Sequence, residues 1–467
     1  MRATRWFRAL TTGTRVIVGG SVAVLLVIVV VAFVRAPLPA LSRDALRIID
    51  TPTPAQSVAV CPGPLLATGR IVGAASEVSI ASAADLVSGS ADGTPEQDRL
   101  IAPFGEGSAV LRLSPTSEVP ASIAAAQSSA AGDEDLSGFA AAACRAPEFD
   151  SWLVAGSTTT GASDLVMIAN PGAVPATVQV SVYTSGGESL PPGGRDVVVD
   201  AGSQLVLPLA GLALGEIAPV VRVQAEGAPV VASLQTSRTE TLQPVGLDVT
   251  GPTAVPAGRQ VIVGLVTPVP GEGPASNVVT ASVRLLSPSQ PVTATIRVRG
   301  IGDAGAVAAP IDVPLDAGVP REVDLPGLSA GTYTIEVEAP APVVAAGWSS
   351  TAAAGERDHA WIAASPRLED ASYVAVAPPP GDTSAVFRAS AAESSVQVTL
   401  APLDGGASVE LSLPAGGSGS MSLASGAWRI ETTGSVFASI GYASASALAG
   451  YPVRPSAQAA AAVVVVP

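Results

Sequence analysis

The sequence predicts an all-β chain, tandem immunoglobulin-like β-sandwich units behind a single N-terminal transmembrane helix. Three observations predict it. One uncharged apolar stretch of spanning length opens the chain. The rest is short Val- and Ala-rich runs cut by 47 Gly and 41 Pro. A strand–turn–strand layout then recurs at roughly 100-residue spacing, the size of a sandwich domain.

Residues 16–34 read VIVGGSVAVLLVIVVVAFV, without a charge. A helix of that length covers about 28 Å, close to the ~30 Å hydrocarbon core. Arg2, Arg5, Arg8 and Arg15 precede it with no acidic residue among them. Basic flanks stay inside, so residues 1–15 are expected as a cytoplasmic arm and everything after Arg35 as exterior. The predicted location is therefore the cell membrane, single-pass, with an extracytoplasmic ectodomain. A cleaved signal peptide competes: Val34-Arg35-Ala36 loosely fits a cleavage site, but the apolar run exceeds the usual ~7–15 residues. Residues 35–56, with Pro37, Pro39, Pro52 and Pro54, read as a juxtamembrane spacer with a short helix around 44–49.

Five of the 24 basic residues, all Arg, lie at or before Arg35, which leaves 19 against 39 acidic residues beyond it. An ectodomain so acidic does not suit nucleic acid, which needs a cationic surface.

Cys61 and Cys144 are the two cysteines. Outside the cytoplasm an even count points to a disulfide, and two cysteines allow one intramolecular connectivity. A zinc site lacks ligands: the chain has one His and no Cys-x-x-Cys. No metal or cofactor is implied.

Beyond residue 150 three stretches share a layout. VRVQAEGAPVVASLQTS begins at Val221, YTIEVEAPAPVVAAGWSS at Tyr333 and WRIETTGSVFASIGYAS at Trp428. Each follows a first half, starting at Leu165, Val283 and Val386, in which TVQVSVY or ATIRVRG alternates as a half-buried strand does. Between the halves, Asp-Ala-Gly and Ala-Gly-Gly turns suit hairpins that need positive φ. The expected units are therefore 150–255, 256–365 and 366–467, preceded by a less regular, disulfide-tied β region at 57–149. The tail 459–467, AAAVVVVP at its end, reads as a closing strand.

Residues spread along the chain carry a family resemblance. Cys61-Pro62-Gly63-Pro64 follows the anchor, and Ser137-Gly138-Phe139 leads to Cys144. Asp150 through Gly156 (DSWLVAG) and Leu165 through Gly172 come next. Together they resemble an actinobacterial family of membrane-anchored or secreted envelope proteins, domain of unknown function number 5719. The family has no assigned activity, so the resemblance implies topology and architecture and transfers no catalytic residue.

The residues offer little chemistry. His359, the one imidazole, is expected in an exposed loop, GERDH, between two units. A triad would have to use it, and no Gly-x-Ser-x-Gly elbow accompanies it; Ser163 and Ser185 do not match that spacing. Asp133, Glu134, Asp135, Asp164, Glu369 and Asp370 could pair as glycosidase carboxylates but read as solvated turns. Gly271-Glu272-Gly273-Pro274 lacks the helix that a phosphate cradle needs. Trp152 and Trp361 stand at equivalent strand starts and are expected in the core, leaving Trp348 and Trp428 as candidates to stack on a ligand.

The function expected is that of a non-enzymatic envelope protein: a scaffold, spacer or binder of partners. A glycan-binding accessory to a polymer-assembling enzyme is the alternative, and an envelope hydrolase the third reading. Expected partners are the membrane, through the helix, and an envelope protein or cell-wall glycan.

Overall fold

The structure, a computed structural model, describes residues 4–35, 48–50, 55–69, 77–116, 119–267, 281–302, 307–351, 357–390, 394–456 and 463–465. Glu356, the run 271–274 and most of the spacer lie outside the described residues. The chain divides into two compact units, Met1–Pro52 with Ala460–Pro467, and Thr53–Ala459.

In the first, one helix spans Thr4–Arg35, and its segment Val16–Arg35 has mean hydropathy 3.1. Its length and composition fit a single-pass anchor or a signal sequence. A Val-rich run is a mediocre helix in water, but a bilayer demands that every backbone group be satisfied within the segment. Ile48–Asp50 then pairs antiparallel with Val463–Val465. Of the helix expected around 44–49, Ile48 and Ile49 lie instead in this strand, where β-branched residues meet a β-branched partner, and 44–47 fall outside the described residues. Val463–Val465 of the tail form a strand, as its composition suggested.

Among its described residues, Thr53–Ala459 is all-β apart from two short 3-10 turns. One sheet order occurs three times. In the first sandwich, Asp150–Leu153, Val220–Glu226, Ala176–Thr184 and Val197–Val199 form one sheet, which Gly187–Ser189 joins at its edge. Ser203–Pro208, Leu165–Asn170, Val231–Glu240 and Gln243–Thr250 lie side by side in the other. The second sandwich sets Ala257–Thr267, the first half of Gly331–Ser350, Val292–Gly300 and Ile311–Leu315 against a second sheet. That sheet is Arg321–Asp324, Ala281–Leu286, the second half of Gly331–Ser350 and His359–Ala363. The third repeats the order with Ser372–Val376, Gly426–Thr432, Val396–Pro402 and Val409–Leu413, then Ser418–Ser422, Asp382–Ala389, Val436–Ala443 and Leu448–Pro452. Counted along the chain within a unit, with Gly187–Ser189 left out and the two halves of Gly331–Ser350 counted separately, the orders are 1-6-3-4 and 5-2-7-8 each time.

Strands 2 and 5 pair, and 3 and 6 pair, as the second and fifth and the third and sixth strands do in an immunoglobulin sandwich. Strands 1 and 7 exchange sheets relative to that order, because the chain crosses between sheets after strand 6 instead of turning back beside it. In the second sandwich Gly331–Ser350 makes this crossing as one strand. It changes partners around Pro340 and Pro342, which cannot donate to a ladder. The glycine turns also cross. Gly202, Gly318 and Gly416 have φ of 66°, 73° and 59°, as expected, yet they carry the chain from strand 4 to strand 5 in the facing sheet. They are not hairpins.

The region before residue 150 is shared out. Glu96–Ala102, Gly105–Leu113 and Ser57–Val60 extend the second sheet of the first sandwich, joined by a parallel bridge between Ile101 and Ser203. Asp85–Gly89, Ala124–Gly132 and Ser137–Ala143 form a separate sheet whose Ala126, Phe139 and Ala141 pack into the core of the third sandwich. The Cys61–Cys144 disulfide joins the two parts.

Buried charges close the seams between sandwiches. Arg284 of the second, 1% exposed, donates to the carbonyls of Gly156 and Pro219 of the first at 2.8 Å each. It pairs with Glu322 at 2.6 Å and lies 4.4 Å from the Trp361 ring centroid. Glu336 of the second accepts from Arg388 of the third at 2.9 Å and from Arg259 and Arg299 at 3.2 and 3.3 Å. Burial raises its pKa, but the three guanidinium groups together hold it below the ordinary value.

Candidate functional site

Four strands pack in a closed ring: Ser137–Ala143 on Gln243–Thr250, that on His359–Ala363, that on Leu448–Pro452, and that on Ser137–Ala143 again. At its centre is the Asp358 carboxylate, 0% exposed. Its Oδ1 accepts the backbone N–H of Leu247 at 3.1 Å and of His359 at 3.0 Å. Its Oδ2 accepts those of Phe139 and Leu448, both at 3.0 Å. Every strand of the ring thus gives one N–H to the same carboxylate.

The residue before each donor explains why the strands approach so closely. It is Gly138, Gly246 and Ala447 in three strands and Asp358 in the fourth. A Cβ on Gly138 would overlap the Asp358 carboxylate, and one on Gly246 would come within 2.7 Å of His359 Nδ1. The two glycines have φ of 141° and 126°, a further reason that other side chains do not fit there. The axis has room for one larger side chain, and Asp358 is it.

His359 lies within the strand, 2% exposed, its Nε2 2.9 Å from Thr236 Oγ1. The exposed-loop expectation is therefore wrong. GERDH has the Gly and charge of a solvated linker, yet its last residue, His359, begins a strand buried among three others. Burial drives the imidazole down to about 3, with Arg238 adding to the effect, so it stays neutral. Burial pushes Asp358 up to about 7 against the pull of its four N–H donors. Asp248, also 0% exposed, receives the Trp361 N–H at 2.7 Å and is held well above the carboxylate range by burial, with Asp358 adding. Asp164, by contrast, ties one end of the first sandwich, accepting from Ser157 and Ser237 N–H at 2.6 and 3.0 Å; burial raises it to about 6.

The other predicted residues scatter. Trp152 and Trp361 are in the core, at 4% and 2% exposure. Trp428 is buried too, its Nε1 donating to the Ala424 carbonyl, and Trp348 packs half-buried against the first core. Asp133 caps its own turn through the N–H groups of Asp135 and Leu136, and Glu369 pairs with Arg367. Among the described residues no three His, Cys, Asp or Glu come together as a metal would need.

The Cys-Pro-Gly-Pro run and the strand that follows it are gripped by three buried glutamines that sequence reasoning missed. Gln127 both accepts from and donates to the backbone of Gly63, and Gln235 does the same to Leu66. Gln204 donates to the Pro62 carbonyl and accepts from Ser108 N–H. Each amide does the work of a missing strand neighbour. Beside this loop an open cleft of about 180 Å³ is lined by Pro64, Ile80, Leu86, Ala109, Gln127 and the Arg99–Glu106 ion pair, among others.

The family model for the family of unknown function DUF5719 matches residues 102–424. The chain belongs to that family. No curated protein matches it. The span matched by DUF5719 holds Asp358 and the donors Phe139 and Leu247; Leu448 lies beyond it.

Proposed function

We propose that this chain is a membrane-anchored, extracytoplasmic envelope protein of the non-enzymatic kind, a rigid scaffold that spaces or binds partners. The observation that carries this reading is the Asp358 junction. It commits the one histidine and two of the buried carboxylates, Asp358 and Asp248, to joining strands from four parts of Thr53–Ala459, away from solvent. Arg284 and Glu336 support it by fixing successive sandwiches to one another. A body so joined transmits position rather than flexing as separate beads.

Protease added to intact spheroplasts tests the topology and should digest the ectodomain, sparing an anchor stub. Full protection would overturn it. Crosslinking the tagged full-length protein in cells should recover a defined protein partner. Turnover of glycans, esters or peptides by the purified protein would defeat the non-enzymatic reading.

The cleft beside the Cys-Pro-Gly-Pro loop favours a second reading, the glycan-binding accessory. Its volume suits about one sugar ring, and Arg99, Glu106 and Gln127 supply polar groups. Purified wall polysaccharide should then bind the wild type and fail to bind Arg99→Ala; a protein partner found with no glycan binding leaves the first reading alone.

A further inference from the structure

The strand pair that follows the Cys-Pro-Gly-Pro run ends in an open edge. Leu65–Thr68 and Val78–Ser82 form a two-stranded sheet, and among the described residues no strand pairs with the outer edge of Val78–Ser82. The Glu77 carbonyl accepts the Gly69 N–H at 2.8 Å, so Glu77 faces into the hairpin. Pairing alternates sides along a strand, so the backbone groups of Val78 and Ile80 face outward. Edges elsewhere carry a charge or a proline that discourages further pairing: IDVPL at Ile311–Leu315, REVD at Arg321–Asp324 and VELSL at Val409–Leu413. Val78–Ser82 reads VSIAS and carries neither.

The cleft adjoins this edge. Ile80, 46% exposed, stands in its wall with Pro64, Ala84, Leu86 and Ala109, and the Arg99–Glu106 pair adds the charged part of the lining. The volume of about 180 Å³ leaves room for an apolar side chain. Acidic residues bracket the strand: Glu77 precedes it and Asp85 follows three residues after its end, both exposed. Unused backbone groups, an apolar pocket and negative charge at both ends therefore meet on one strand.

We propose that Val78–Ser82 takes up an extended segment of another envelope protein as a third strand, with an apolar side chain of that segment in the cleft and basic residues at its ends. In strand addition the main-chain hydrogen bonds supply affinity, and a pocket for alternate side chains supplies the choice of partner. Basic ends complement Glu77 and Asp85. Antiparallel addition of a second copy of this chain would set acid against acid, which cross-strand pairing disfavours. The assignment rests on the partner-binding reading of the chain and gives that reading a place and a chemistry.

The probe is a fluorescent peptide, Arg-Val-Thr-Val-Thr-Val-Arg with blocked termini, titrated into the full-length protein in detergent and followed by anisotropy. It should bind. The same peptide N-methylated throughout keeps its side chains and charge but donates no hydrogen bond, and should not bind. Glu in place of both Arg should weaken binding. Ile80→Pro removes an outward N–H that the hairpin does not use, a change that an edge strand tolerates, and should weaken binding about tenfold or more. If that variant does not fold, Ala84→Trp, which fills the cleft, should have the same effect. No binding by the wild type, equal binding of the methylated peptide, or binding unchanged in the folded variant would overturn the proposal. So would displacement of the peptide by purified wall polysaccharide, which gives the cleft to a glycan, or a wild-type dimer that Ile80→Pro dissociates, which gives the edge to a second copy. A protein partner crosslinked in cells equally by wild type and Ile80→Pro would leave the scaffold reading standing and remove this site from it.

Discussion

Asp358 accepts the backbone N–H of Leu448 at 3.0 Å across 90 residues of sequence, joining the second sandwich to the third through one carboxylate oxygen. The same side chain reaches 219 residues back to Phe139 and 111 back to Leu247. Removing it orphans four buried donors, one in each strand of the ring.

Asp358→Ala should therefore cost about 3 kcal/mol or more, since each unsatisfied buried donor is worth roughly 1–3 kcal/mol. Asp358→Asn keeps one acceptor oxygen and should cost less. Chemical denaturation of the full-length protein measures both. An Ala variant as stable as wild type would show that the ring stands without its centre.

His359→Ala should destabilise by about 2 kcal/mol, through lost packing and an unpaired Thr236 hydroxyl. The imidazole should also show no titration in NMR between pH 5 and 8, because burial holds it down at about 3. A normal titration near pH 6.5 would place His359 in solvent.

Stability should rise on acidification from pH 7 towards 5. Asp358 and Asp164 are raised to about 7 and about 6 from an ordinary 3.8, so in this window the folded state holds protons that the unfolded state has released. Asp248 acts in the same direction. His359 opposes them, since below about 6.5 its unfolded form gains a proton that the folded form refuses. The carboxyls outnumber the imidazole. Asp164→Asn should flatten the slope measured by urea midpoints at several pH values, and a slope of opposite sign would contradict the assignment.

Arg284→Ala leaves Glu322 without its partner and strips donors from the Gly156 and Pro219 carbonyls. A loss of about 3–5 kcal/mol is expected, as for other broken buried pairs. Limited proteolysis should then open the boundary between the first and second sandwiches before any other. Uniform cleavage would argue against a seam held by this residue.

Reduction of Cys61–Cys144 should lower stability by up to about 4–5 kcal/mol on the chain-entropy account. Non-reducing peptide mapping should show the two peptides linked. Two alkylatable thiols in exported protein would overturn the bridge.

What the sequence determined by itself is whatever depends on local pattern. The uncharged run at 16–34 determines a helix long and apolar enough to cross a membrane, because length and composition act locally. The alternation in TVQVSVY and ATIRVRG marks Val178, Val180, Ala294 and Ile296 as inward-facing, and they are buried. The Asp-Ala-Gly turns announce positive φ because backbone sterics act within one residue. Two lone cysteines announce their own pairing.

What only the tertiary structure decided is where those pieces go. A turn glycine does not say whether the next strand joins its own sheet or the facing one; burying both inner faces settles that. Composition makes GERDH look like a linker, yet Asp358 is the centre of the four-strand ring, because three of its donors lie 90 to 219 residues away. Burial of a polar side chain depends on the partners that meet it, and here the pairing of distant strands supplies them.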